Sequence, residues 1–119
     1  MAASCKGFHH ITAVVRSLDR AHWFYSDVLG LPELQRPKFN VPGKWYRCGN
    51  SELHVVATDE LIVESMRHFA IEVENFAQVV NRLKEKGVQI LGQPDLRPDG
   101  SHFVFCMDPD GNLVEITQH

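Results

Sequence analysis

The feature that most constrains this chain is that it makes the same structural statement twice. Residues 8–15 alternate as a strand does, with Ile11, Ala13 and Val15 on one face and His10, Thr12 and Val14 on the other. A helix follows. Ser17 or Asp19 can cap it, and Leu18, Ala21, Phe24, Tyr25, Val28 and Leu29 recur at helical spacing. Gly30, with Pro32 beyond it, supplies the stop. Residues 31–57 are interrupted by Pro37, Pro42-Gly43 and Gly49-Asn50 and read as three short strands, the last at 52–56. After a polar bridge at 58–60 the pattern returns. Residues 68–73 form a strand, Asn75 is placed as a cap, and Phe76, Val79, Val80 and Leu83 make a helical stripe ended by Gly87. Strands are expected near 88–91, 101–107 and 113–117, with a loop at 93–100 rich in Pro, Asp and Gly. The chain is a β-α-β-β-β unit repeated, spanning about 6–59 and 60–119 of a single domain, residues 1–119.

The last two strands flank Asp108-Pro109-Asp110-Gly111, where Asp opens a turn, Pro has its φ already set and Gly can take φ > 0. That turn fixes the register. Val114 and Ile116 then share one face while Leu113, Glu115 and Thr117 share the other, so Glu115 faces either water or a site.

The repeat aligns polar residues that sheet packing does not ask for. His10 and His68 are 58 positions apart, and His54 and Glu115, each on the last strand of its round, are 61 apart. On a curved sheet covered by helices, the parity of His10, His54, His68 and Glu115 points all four into the concavity. Imidazole and carboxylate on rigid strands suit a divalent ion such as zinc, iron, cobalt, nickel or manganese. Taken singly, each reads first as a hydrogen-bonded polar residue on a half-exposed sheet, and it is four at equivalent repeat positions that shift the balance toward a site. His9 has the wrong parity, His22 is on a helix and His119 is the terminus; His102, on an inner strand, can reach the mouth of the cavity. Alternation puts Trp45 and Arg47 on one face and Lys44 and Tyr46 on the other.

Composition removes some function classes. The 119 residues carry a net charge of −3 with acids and bases interspersed, which gives no electrostatic footprint for nucleic acid or an anionic membrane. No apolar run is long enough to span a membrane and no apolar export segment follows Met1, so the expected location is cytoplasmic. Cys5, Cys48 and Cys106 are odd in number and widely spaced, as reduced thiols serving packing would be.

Three motifs in order carry a resemblance. They are residues 10–15 with 18–31 (His-Ile-Thr-Ala-Val-Val, then Leu-Asp-Arg-Ala-His-Trp-Phe-Tyr-Ser-Asp-Val-Leu-Gly-Leu), residues 68–73 (His-Phe-Ala-Ile-Glu-Val) and residues 108–116 (Asp-Pro-Asp-Gly-Asn-Leu-Val-Glu-Ile). Together they resemble the vicinal oxygen chelate superfamily, which holds glyoxalase I, bleomycin-resistance proteins, fosfomycin-resistance transferases, methylmalonyl-CoA epimerase and type I extradiol dioxygenases. The resemblance implies an α+β fold in which two βαβββ modules form a cupped, partly open barrel. It also implies a divalent metal ion held by His10, His54, His68 and Glu115, with open positions for two oxygens of a small-molecule substrate. It places Trp45 and Arg47 in the cavity, where an aromatic wall and a guanidinium suit a planar or carboxylated molecule; the plainer reading makes Trp45 packing and Arg47 a solvated charge. Thr12 is a position shared with the fosfomycin enzymes.

Two departures narrow the choice. Glyoxalase I carries a glutamate where His54 stands, and the substrate-contacting Ser and Tyr of the fosfomycin enzymes are replaced by Phe103 and Phe105. The expected activity is metal-dependent lyase, isomerase or transferase chemistry, with Glu115 both a ligand and a mover of protons. The alternatives are an iron-dependent ring-cleaving dioxygenase and a non-catalytic small-molecule-binding or resistance protein. A homodimer is expected, because open cups leave strand edges and apolar surface to cover.

Overall fold

Among the described residues, eight strands sort into two sheets of identical plan. In the computed structural model, which describes residues 3–119, β1 (His10–Val15), β2 (Glu33–Leu34), β3 (Gly43–Cys48) and β4 (Ser51–Ala57) lie in the order β1-β4-β3-β2. The second sheet repeats it: β5 (Phe69–Glu72), β6 (Ile90–Leu96), β7 (His102–Met107) and β8 (Leu113–Gln118) lie as β5-β8-β7-β6. In each, the first strand pairs parallel with the last, and the others pair antiparallel. A parallel pair needs a crossover, which the helix after each first strand supplies. This is the expected α+β architecture of two βαβββ modules. Met1 and Ala2 lie outside the described residues.

The duplication extends to register. Thr12, two residues beyond His10, pairs with His54; Ala70, two residues beyond His68, pairs with Glu115. The four residues therefore hold equivalent places on their sheets, and the unequal spacings of 58 and 61 are absorbed between the strands.

The helices depart from the sequence reading at their ends. Helix α1 (Leu18–His22) is capped by Ser17, whose hydroxyl accepts from the Arg20 amide at 3.2 Å. The chain then continues as a π-helix over Trp23–Val28, with the Leu29 amide reaching back five residues to the Phe24 carbonyl at 3.0 Å. Phe24, Tyr25 and Val28 are all buried there. Helix α2 (Phe76–Glu85) begins after Asn75, as expected, but the Asn75 side chain turns to Gln78. The Phe76 amide is met instead by the Gln118 side-chain oxygen at 2.9 Å, so the last strand caps the helix. A further correction concerns the expected loop at 93–100. Strand β6 runs on to Leu96, with a register shift between Leu91 and Asp95. Pro94 is tolerated because β6 is an edge strand, where a missing N–H breaks no ladder on the outer side. Only residues 97–101 form a turn, closed by the Gly100 amide on the Arg97 carbonyl and the Arg97 amide on the Ser101 carbonyl, both at 2.9 Å.

The core lies on the helix-facing sides of both sheets. Ala13, Val15, Tyr46, Leu53 and Val55 from one sheet and Ile71, Val104, Cys106, Val114 and Ile116 from the other belong to one buried cluster with Phe24, Tyr25 and Leu83. Burial pushes the Cys106 thiol up to about 12, which makes it packing rather than a nucleophile.

The Asp108–Gly111 turn does more than set a hairpin. Gly111 takes a φ of 97°, as the turn requires, and its amide donates to the Asp108 carbonyl at 3.1 Å. The buried Asp108 carboxylate accepts from the Tyr25 hydroxyl at 2.8 Å, while Asn112 donates to the Val14 carbonyl at 2.9 Å and Arg20 pairs with Asp110 at 2.7 Å. The turn of the second module is thereby tied to the strand and helix of the first. No helix among the described residues is long and apolar enough to cross a membrane.

Candidate functional site

Strand alternation puts Ala13, Leu53 and Val55 against the helices, so His10, Thr12, Glu52, His54, Trp45 and Arg47 share the opposite, concave face of the first sheet. His54 is 8% exposed and sits in a sandwich. The His10 ring lies parallel to it at 4.0 Å and 12°, and the Trp45 indole covers its other face at 4.2 Å and 6°. Its Nε2 is 2.9 Å from a Glu52 oxygen, and Arg47 approaches the other Glu52 oxygen at 3.5 Å. The His54 hydrogen bond, opposed by desolvation and helped by the charges of His9 and Arg47, holds the Glu52 carboxyl below its usual range. His9, set aside by parity, joins this group: it precedes β1, is not bound by strand alternation, and brings its Nδ1 to 2.9 Å from Nδ1 of His10.

The second sheet offers a different group. His68 stands just before β5 with its ring edge on Phe105 at 5.0 Å. Its Nδ1 is 2.8 Å from the Met66 carbonyl, and its Nε2 is 3.1 Å from Oε1 of the buried Glu115. The other Glu115 oxygen is paired with Arg97. A hollow of about 330 Å³ opens beside His68, with Met66, Leu91, Phe105, Met107 and Leu113 in its wall. Thr12 and His68 together line another, which runs between β1 and β5.

The His68–Glu115 contact has a definite chemical meaning. A carbonyl only accepts, so the Met66 contact requires the proton of His68 on Nδ1. A neutral ring then turns the lone pair of Nε2 toward a carboxylate oxygen, and two acceptors at that distance need a cation between them, either a second proton or a metal ion. Two ligands at right angles on an ion, with bonds of about 2.0–2.2 Å, stand about 3 Å apart. The donor set and its spacing fit a divalent ion.

The structure thus brings His10 together with His54, and His68 with Glu115. Among the described residues no three His, Cys, Asp or Glu side chains gather in an arrangement able to hold a metal ion. Trp45 and Arg47 accompany the first pair. His102 accompanies neither: its parity is that of Val104 and Cys106, it lies on the helix side with its ring 5.3 Å from Phe76, and the expectation that it reaches the cavity mouth is corrected. Two participants escaped sequence reasoning besides His9. Glu52 shares parity with His54 and was legible on that ground; Arg97 was not, because its reach depends on how the 97–101 turn folds back.

Residues 7–116 match the family model of the Glyoxalase/Bleomycin resistance protein/Dioxygenase superfamily. The chain belongs to that superfamily. It is 31% identical over 117 residues to the metallothiol transferase FosB of Staphylococcus haemolyticus, covering 93% of this chain and 82% of the relative. To the mitochondrial methylmalonyl-CoA epimerase of Bos taurus it is 30% identical over 127 residues, covering 92% and 73%. Among solved structures, a variant of the fosfomycin-resistance protein FosX from Listeria monocytogenes, in complex with Mn(II) and 1S,2S-dihydroxypropylphosphonic acid, superposes with a TM-score of 0.84 at 19% identity, covering 97% and 93%. The superfamily fold is therefore shared with metal-bearing members and with enzymes of different reaction types, and the reaction has to be argued from the site.

Proposed function

We propose that this chain is a divalent-metal-dependent, glyoxalase-like enzyme acting on a small substrate that presents two neighbouring oxygens, with His10, His54, His68 and Glu115 as the metal-holding residues. The observation that carries the reading is the His68 Nε2–Glu115 Oε1 approach at 3.1 Å, with Nδ1 already committed to Met66. A bound ion would supply Lewis-acid polarisation of a carbonyl or stabilisation of an oxyanion, in lyase, isomerase or transferase chemistry. The chain's own residues do the rest. Met66 and His9 fix the ring orientations of His68 and His10, Trp45 walls the cavity, and Thr12 and Arg47 lie on the concave face where they can orient the substrate.

We further propose that the centre is completed by a second copy of the chain, each site taking His10 and His54 from one protomer and His68 and Glu115 from its partner. Supporting this, the two pairs lie on separate sheets, no trio gathers within one chain among the described residues, and β1 and β5 are sheet edges. A cytoplasmic location is part of this reading, since three widely spaced cysteines suit a compartment that keeps thiols reduced.

Protein purified without chelators is expected to hold close to one equivalent of a transition metal and to gain thermal stability from added manganese, zinc, nickel, cobalt or iron(II). Metal content below about a tenth of an equivalent, with no thermal gain, overturns the reading in favour of a non-catalytic binding protein. Mixing a His10/His54 double-alanine variant with a His68/Glu115 double-alanine variant tests the sharing. Restored metal binding in the mixed dimer supports it, and a strictly monomeric protein at micromolar concentration refutes it.

A dioxygenase is the second reading, and one observation favours it. Glu52 engages Nε2 of His54, which leaves His10, His68 and Glu115 as the two-histidine, one-carboxylate set of iron oxygenases. Aerobic turnover of a catechol with iron(II) would establish it.

A further inference from the structure

Arg97 has no part in the proposed metal-holding set, yet its guanidinium is held on several sides beside it. One Nη2 contact goes to Glu115 Oε2, and Nη1 lies 3.3 Å from Thr117 Oγ1 and 3.4 Å from Ser101 Oγ. Both hydroxyls are oriented to receive it. Ser101 gives its proton to Asp99 Oδ1 at 2.7 Å and Thr117 gives its own to the His102 carbonyl at 3.0 Å, so each turns a lone pair toward Arg97. The Phe103 ring supports the guanidinium from below at 4.3 Å, and the closed 97–101 turn holds the backbone. A solvated surface charge needs none of these supports.

We propose that Arg97 is a positioning residue for Glu115: it holds Oε2 so that the carboxylate presents Oε1 alone toward His68, as a single-oxygen ligand that neither chelates through both oxygens nor swings away as a mobile base. The proposal rests on the metal-centre reading above for its functional meaning, and on the Arg97–Glu115 geometry for its structural one. A planar fork is needed, because one guanidinium serves a carboxylate and two hydroxyls in fixed directions, whereas the ammonium of lysine is a point charge. The guanidinium also offsets the carboxylate charge, so a filled centre keeps more of the cation's positive charge and favours an anionic bidentate ligand. Proton transfer then falls to groups other than Glu115.

The test compares wild type with Arg97→Gln and Arg97→Lys, using Mn(II) alone as the probe. Calorimetric titration is expected to show Mn(II) affinity falling about 10–100-fold in Arg97→Gln, with partial rescue in Arg97→Lys, as for other residues that orient a ligand. Infrared difference spectra with carboxyl-labelled glutamate are expected to show the wide stretch separation of a one-oxygen carboxylate in wild type, narrowing in Arg97→Gln. Unchanged affinity and unchanged separation overturn the proposal. A double-mutant cycle on thermal unfolding in chelator, pairing Arg97→Gln with Glu115→Gln, separates it from the metal reading. Coupling between the two residues in a wild type that binds no metal upholds the positioning role while the metal reading falls; absence of coupling removes the positioning role whatever the metal does.

Discussion

The two modules share a register and treat the polar residues at their equivalent positions in opposite ways. In the first, His54 is held by faces: it is stacked between His10 and Trp45, with Glu52 at its edge. In the second, Glu115 is held by charge, with Arg97 on one oxygen and His68 on the other. Duplication fixes where a side chain starts, and the neighbours decide what it can do. Stacking constrains the plane of a ring but lets it slide, whereas a buried carboxylate between a guanidinium and an imidazole has one arrangement that satisfies every group.

The contrast predicts unequal consequences for substitutions at equivalent positions. Glu115→Ala should lower Mn(II) affinity in calorimetry more than His54→Ala, and both by more than the about 10–100-fold expected on loss of a residue that only orients a ligand, because the first alone removes the anionic donor and strands a guanidinium. Equal losses would break the comparison. The next effect tests whether the halves behave as one body. Asp108→Ala deletes the acceptor for Tyr25 and for the amides of Asp110 and Asn112, and should cost about 2–3 kcal/mol in chemical denaturation. Tyr25→Phe, which removes a phenol that burial and the Asp108 charge keep protonated, should cost about 1 kcal/mol. A transition that stays as cooperative as wild type in Asp108→Ala would show that the shared core, rather than the turn, unites the modules.

A smaller effect is expected at the aromatic wall. Trp45→Ala should weaken Mn(II) binding only about threefold, since the indole orients His54 without donating to the ion. The smallest concerns acid. Partial burial works against ionisation of Asp110, but hydrogen bonds from Arg20 and from the amides of Arg16 and Ser17 outweigh it and hold the carboxyl below its ordinary range. A carboxyl lowered in the folded state binds fewer protons there than in the unfolded chain. Its stabilising contribution is complete above the unfolded value of about 3.9 and is lost as pH falls through the lower folded value. Asp110→Asn should therefore flatten the acid limb of a stability–pH curve and leave the neutral region's slope alone.

Much of this was legible in the residues. The repeat, the strand faces and the equivalence of His10 with His68 and of His54 with Glu115 follow from periodicities of two and 3.6, which are local properties of the chain. The α1 cap at Ser17 was equally local. The 93–100 stretch reads as a loop from its Pro, Asp and Gly, yet an edge strand paired on one side only, with a register shift between Leu91 and Asp95, accommodates Pro94 within it. Strand alternation does not govern His9, because β1 begins only at His10.

By itself the sequence determined a duplicated α+β scaffold with three imidazoles and a carboxylate at matching places, since backbone geometry turns residue order directly into facing. Tertiary structure alone decided that these residues meet as two pairs, that Arg97 clamps one of them, and that His102 turns to the helix side. Those outcomes depend on how turns fold back and how sheets oppose one another, and such long-range contacts leave no period in the chain that could announce them.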